Sequence, residues 1–302
     1  MDASDIEAIA QRVLRWPEKR RWDTKDKDRR FKALFGAQSS IVATLWNMLI
    51  ENNNGDLDDG KPEHLLWALV FLKVYGTEEV NCSIVGWPCT KTFSRWAWYF
   101  VGKIADLKDV VIQLDDRFEG LGEVANSNAF ISLDGTDCPT FEPKPWNSGM
   151  FSEKFNGPGV KYEVGVCIRT SKIVWIGGPH RAGKNDNTVF QYELQALLFD
   201  DEAIECDMGY GGDARLKTPQ LGKDTKEREM KSEVRAQHEA VNGRLKIFNV
   251  LNTHFRHMGR DRAEMMEKHK SCFYAVAVIT QLKFMAGDKI FSRELEYDVT
   301  YM

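Results

Sequence analysis

Cysteine is scarce in this sequence and nowhere paired. The six thiols, at Cys82, Cys89, Cys138, Cys167, Cys206 and Cys272, make no Cys-x-x-Cys motif and no regular spacing. That excludes a disulfide framework and a cysteine-based zinc site, and it reads as an intracellular protein with reduced thiols. Long apolar runs are absent too: none approaches the roughly 20 residues that span a bilayer, so no membrane is expected as a partner. The first apolar stretch is interrupted by Asp5, Glu7, Gln11 and Arg12, so no secretory leader is expected. There is no internal repeat and no low-complexity tract. Positive charge is not in excess: 41 Lys and Arg stand against 45 Asp and Glu, a net charge of −4 over 302 residues.

Charge is nevertheless uneven. Residues 17–32 hold eight Lys and Arg against four acids, and residues 244–270 hold seven against three, so each carries +4. Local cationic density is what displaces counterions from DNA, and these segments leave phosphate contact open. The polar run 51–60 reads as a loop. Before Asn126 the pattern is almost wholly helical, at 38–50 and at 62–75 behind Pro62, which suits a first helical position. A short helix at 78–85, a turn from Gly86 to Cys89, and a helix over 91–107 capped by Thr90 have the spacing of a helix-turn-helix. Lys91, Thr92, Ser94 and Arg95 would then begin the recognition helix. Trp46, Trp67, Trp96 and Trp98 read as core of that helical region, placed at 1–125.

From residue 127 the periodicity changes. Runs rich in Val, Ile and Tyr at 128–134, 160–170 and 172–178, a helix at 187–199, a run at 203–207 and a long helix at 226–251 predict an α/β fold. The expected architecture over 126–302 is a mixed sheet with helices on both faces, covered by a last amphipathic helix near 261–285.

Three carboxylates stand out against that frame. Asp134 ends the first predicted strand, Asp207 ends a later one, and each is closely followed by glycine (Gly135 and Gly209). Sites in open α/β sheets gather beyond the carboxyl ends of strands. At 100° per residue, Glu239 shares a helix face with Arg228, Arg235, Asn242 and Lys246, while Met230, Val234, Val241, Leu245 and Phe248 lie opposite. Arg235, Asn242 and Lys246 are the candidate phosphate-binding side chains. Gly243, unfavourable inside a helix by ~1 kcal/mol against alanine, suggests close approach of another element. Two strand-end aspartates and a helix glutamate match what two magnesium ions need, since hard cations take oxygen ligands and a pair can clamp both oxygens of an in-line displacement.

A competing motif runs from Gly178 to Asn185 (GPHRAGKN). It fits G-x-x-x-x-G-K between a strand and a helix and would make a nucleotide hydrolase. Against it, Pro179 removes an amide that a phosphate cradle uses, and Asn185 stands where a magnesium-binding hydroxyl belongs.

Taken in order, the segments HLLWALVFLKVYGTEEVN, KTFSRWAWYFVGKIADL, ISLDGTDCPTFEP, KYEVGVCIRTSKIVWIGGPHRAGKND, ECDMGYGG and RAQHEAVNGRLK, from Lys61 to Lys246, resemble the DDE superfamily endonucleases, specifically the Harbinger-like (PIF/Harbinger) transposases. The family's three acids fall on Asp134, Asp207 and Glu239, at intervals of 207 − 134 = 73 and 239 − 207 = 32 residues. The resemblance implies an RNase H-like catalytic domain, two Mg2+ or Mn2+ ions, and cleavage and joining of DNA at transposon ends. It makes Asp186 an auxiliary acid and leaves Asp137 as an alternative first ligand. Met208 stands where relatives commonly have lysine. It further implies a homo-oligomer on paired ends, a Myb-like accessory protein, and a nuclear location in a eukaryote or a cytoplasmic one otherwise. A domesticated DNA-binding scaffold that has lost catalysis is the alternative.

Overall fold

Helix-forming segments fill the first third of the chain, and the computed structural model gives them as α1 (Ala3–Val13), α2 (Thr24–Phe35), α3 (Ser39–Asn52), α4 (Pro62–Val74), α5 (Glu78–Ile84), α6 (Thr90–Ala105) and α7 (Lys108–Val111). The described residues are 1–15, 24–119, 127–142, 144–218, 225–288 and 290. Residues 17–23 of the first basic run, and the expected domain boundary at 125/126, lie outside them. Two compact units emerge. The first is helical: 1–111 with 245–253 and 271–286. The second holds 112–244, 254–270 and 287–302.

In the helical unit, Leu65, Leu66, Leu69, Phe93, Phe100 and Ile104 are fully buried. Pro62 occupies the first turn of α4, where its missing amide is not needed. Thr90 is not the cap: it is the first residue of α6, and Cys89 before it makes no side-chain cap hydrogen bond. Among the described residues no single helix is long and apolar enough to cross a membrane. One bent pair, Asp26–Phe35 with Ser39–Asn52, passes by length and composition, but its Phe35, Leu45 and Leu49 are core residues.

The second unit is α/β. Its strands are β1 (Ala129–Pro139), β2 (Phe151–Ser152), β3 (Gly157–Cys167), β4 (Ile173–Arg181), β5 (Ala203–Cys206) and β6 (Leu216–Lys217). Its helical pieces include α8 (Asp186–Val189) and α9 (Thr225–Lys246), whose last two residues group with the helical unit. α10 (Asn249–Asn252) belongs to the helical unit, and α11 (Arg262–Met285) runs from one unit into the other. The sheet order is β2-β3-β1-β5-β6, with β4 also on β3. β1 with β3 and β3 with β4 are antiparallel; β1 with β5 and β5 with β6 are parallel. A mixed sheet results, flanked by helices.

Alternation along the strands sends residues to opposite faces. Ile131, Leu133, Ile204 and Cys206 pack with Val189, Phe190 and Leu194 on one face. Ala129 and Ala203 meet Val234 of α9 on the other, a β-bulge between Ala129 and Ile131 having shifted the phase.

Three boundaries differ from the periodicity. The first strand runs on from 134 to Pro139, held by β3 after β5 has ended. The helix expected at 187–199 is instead α8 followed by a π-helical turn, Phe190–Leu194, and a 3-10 turn, Gln195–Leu197. The long helix stops at Lys246, three residues before α10 begins.

Candidate functional site

Asp134 lies inside β1, not at its end, yet the parallel ladder beside it stops one residue earlier, at Leu133 opposite Cys206. Asp134 and Asp207 are therefore next in register, on strands that run ~4.8 Å apart. α9 covers this point. His238 is buried and its Nδ1 is 2.9 Å from the Ser132 hydroxyl. One turn on, the Asn242 amide donates to Asp134 Oδ2 at 3.0 Å. Those two contacts set the rotation of the helix and bring Glu239 to the mouth of a cleft. The cleft is lined by Asp134, Asp207, Glu239, Arg235, His238 and Lys231 and has a cavity of about 50 Å³, enough for more than one water-sized occupant.

Its electrostatics are negative at the floor. The Asp134 carboxyl is pushed up to about 6; burial is the main cause, Lys154 opposes it, and the charges of Asp207 and then Asp186 add to it. Burial lowers His238 to about 4, so it stays neutral. Glu239 is largely exposed and pairs with Arg235 at 3.1 Å. Glu205 and Lys231, both buried, sit 3.6 Å apart along the wall.

The sequence-predicted side chains divide as follows. Asp134, Asp207, Glu239 and Arg235 share one cleft. Asn242, expected to face phosphate, donates to Asp134 instead. Lys246 closes α9 and groups with the helical unit. Asp137 is three residues on from Asp134, so it faces the other side of the sheet. There it is buried and accepts a hydrogen bond from the Ser152 hydroxyl. That orientation removes it as the first ligand beside Asp207 and Glu239. Gly243 has open space around it, so nothing approaches closely there. In α6, Lys91, Thr92 and Arg95 are exposed and Ser94 is half-buried, the Arg95 guanidinium lying 4.8 Å from the Trp96 ring centre.

A second acidic group, unread in the sequence apart from Asp186, lies behind the cleft. Glu163 sits opposite Gly135 in the β1–β3 register and is fully buried. It accepts a hydrogen bond from the Tyr210 hydroxyl. Asp186 pairs with Lys161. A Cβ on Gly135 would lie 3.0 Å from Glu163 and 3.6 Å from Asp186, and one on Gly209 would lie 3.6 Å from Asp186. Bare glycines thus let four chain segments meet. Burial, then the Asp186 charge, pushes the Glu163 carboxyl well above its ordinary range. Burial alone would lower Lys161, but its hydrogen bond with Asp186 and that carboxylate's charge outweigh it and raise it. The available signal was Lys161 and Glu163 alternating in an otherwise apolar strand.

The Gly178–Asn185 segment is not a phosphate loop in form. β4 carries it to Arg181, and the Ala182, Gly183 and Lys184 amides donate to the carbonyls of Gly159, Gly149 and Arg181. Among the described residues no three His, Cys, Asp or Glu side chains stand together at metal-ligand spacing. The cleft still suits a hard cation in its donors: the Asp134 and Asp207 carboxylates, next to each other in register, with the Asp134 carboxyl raised by burial and then by neighbouring negative charge. Compared with known proteins, the chain matches no family model, no curated protein and no solved structure.

Proposed function

We propose that the protein is a metal-dependent DNA endonuclease of the transposase kind, with Asp134, Asp207 and Glu239 as its acidic triad. The observation that carries this reading is the convergence of the three acids on one cleft, two from adjacent parallel strands and one from the helix packed over them. The sheet supports the RNase H-like part: three strands paired antiparallel, then strands parallel to the first, with helical packing on both faces.

Asp134 and Asp207 would hold Mg2+ or Mn2+, with Glu239 completing the site once it leaves Arg235. Bound there, a pair of such ions would supply Lewis acids to the attacking and leaving oxygens of a phosphodiester displacement. The chain's own residues do the rest. Asn242 orients the Asp134 carboxylate, His238 fixes α9 against β1 while staying uncharged, and Arg235, released from Glu239, meets phosphate. The same reading carries DNA as partner, paired ends on a homo-oligomer, a Myb-like accessory protein and, in a eukaryote, the nucleus.

A DNA-binding scaffold without catalysis is the second reading, favoured by the Arg235–Glu239 ion pair, which engages the third acid. Magnesium-dependent nicking of supercoiled DNA separates the two. The wild-type chain nicks, and Asp134→Asn abolishes nicking while DNA binding persists. Nicking undiminished in that variant refutes the triad.

A further inference from the structure

A second hollow, of about 470 Å³, is lined in part by Gly149, His180, Arg181, Lys184 and Met266. It is built where β4 ends. Gly183 donates to the Gly149 carbonyl at 2.9 Å, which ties the turn after β4 to the short 3-10 helix Ser148–Met150. His180 and Lys184 both face Glu193, at 2.9 and 3.7 Å, and burial lowers the His180 pKa, favouring its neutral form. Arg181 is exposed, and no carboxylate is paired with it among the described residues. The local sum is Arg181 and Lys184 against Glu193: +2 − 1 = +1.

We propose that this hollow binds a non-scissile phosphodiester of the DNA strand being cut. The inference rests on the endonuclease reading and names where its substrate is gripped. The single surplus charge matches a phosphodiester's one negative charge and falls short of a free phosphate dianion. Two contacts link the hollow to the acids. The Lys184 carbonyl accepts from Lys161 Nζ at 3.0 Å, and Lys161 in turn pairs with Asp186, whose carboxylate lies behind Asp134 and Asp207. Phe151, two residues past Gly149, is exposed and offers a face on which a base can stack.

The test measures anisotropy of a labelled duplex of arbitrary sequence with the full chain across a salt series, without divalent metal. Arg181→Ala weakens binding about tenfold and lowers the slope of log K against log salt by about 1, the signature of one lost phosphate contact. Arg181→Lys restores most of that slope. Both variants should fold, because the side chain is exposed. An unchanged slope in Arg181→Ala overturns the inference, and if the wild type still nicks DNA the endonuclease reading survives. Inorganic phosphate, titrated calorimetrically, should bind only weakly. Tight phosphate binding, lost in Arg181→Ala, alongside DNA binding indifferent to that variant, makes the hollow a free-anion site and overturns the phosphodiester assignment. A wild type that neither nicks nor binds DNA defeats the endonuclease reading itself.

Discussion

Asp134 should destabilise the metal-free protein, and removing its charge should stabilise it. The carboxyl rises from its ordinary 3.8 to about 6 in the folded chain. Folding therefore favours the protonated form, and the sign follows. Well below pH 3.8 the group is neutral in folded and unfolded chains alike and there is no penalty. The penalty grows between 3.8 and about 6 and is complete above that. At ~1.4 kcal/mol per pH unit, the full difference is roughly 3 kcal/mol. At about pH 4.5 the same linkage leaves roughly 1 kcal/mol. Asparagine keeps the shape and can still accept the hydrogen bond from Asn242, so Asp134→Asn should recover most of the penalty at about pH 7.5 and little at low pH.

Urea unfolding in EDTA, followed by hydrogen exchange of the β1 amides, reads the sheet unit directly. Magnesium provides the second arm. A cation held between Asp134 and Asp207 stabilises the wild type by mass action, ~2.7 kcal/mol at a hundred times its dissociation constant, and does little for the variant. An asparagine variant no more stable than wild type at about pH 7.5, or one whose advantage is indifferent to pH, would refute the account of why the Asp134 carboxyl is raised.

Two further substitutions probe the scaffold around the cleft. Gly243→Ala places a methyl where nothing lies within 4 Å, so it should stabilise α9 by about 1 kcal/mol, measured as a higher urea midpoint; a loss would mean the site is crowded. Tyr210→Phe takes the hydroxyl donor from buried Glu163 and should cost about 1–3 kcal/mol. Because Tyr210 is three residues from Asp207, that variant should also need more magnesium for nicking; an unchanged magnesium requirement would show that the Tyr210–Glu163 bond does not position Asp207.

How far the sequence could be read depended on which kind of order each residue obeys. Helical order is local. The 100° step placed Val234, Val241 and Leu245 inward and Glu239 outward, and all three apolar residues are buried. Asn242 fell on the correct face, but its partner, Asp134, is 108 residues away, and the wheel carries no information about that distance. Pairing order is not local. That β3 would set Glu163 opposite Gly135 follows from a register fixed by the whole sheet, so the grouping of Glu163, Tyr210 and Lys161 around Asp186 was out of reach, although the alternation of Lys161 and Glu163 marked one face as polar. Asp134 against Asp137 falls between these cases. Period two puts residues three apart on opposite faces, so one of the pair had to turn away from α9. Sequence leaves both candidates because a bulge earlier in the strand, here between Ala129 and Ile131, reverses every residue after it. Ser132 bonded to His238 fixes the phase. Asp134, two residues on, must then share that face, and Asp137 cannot.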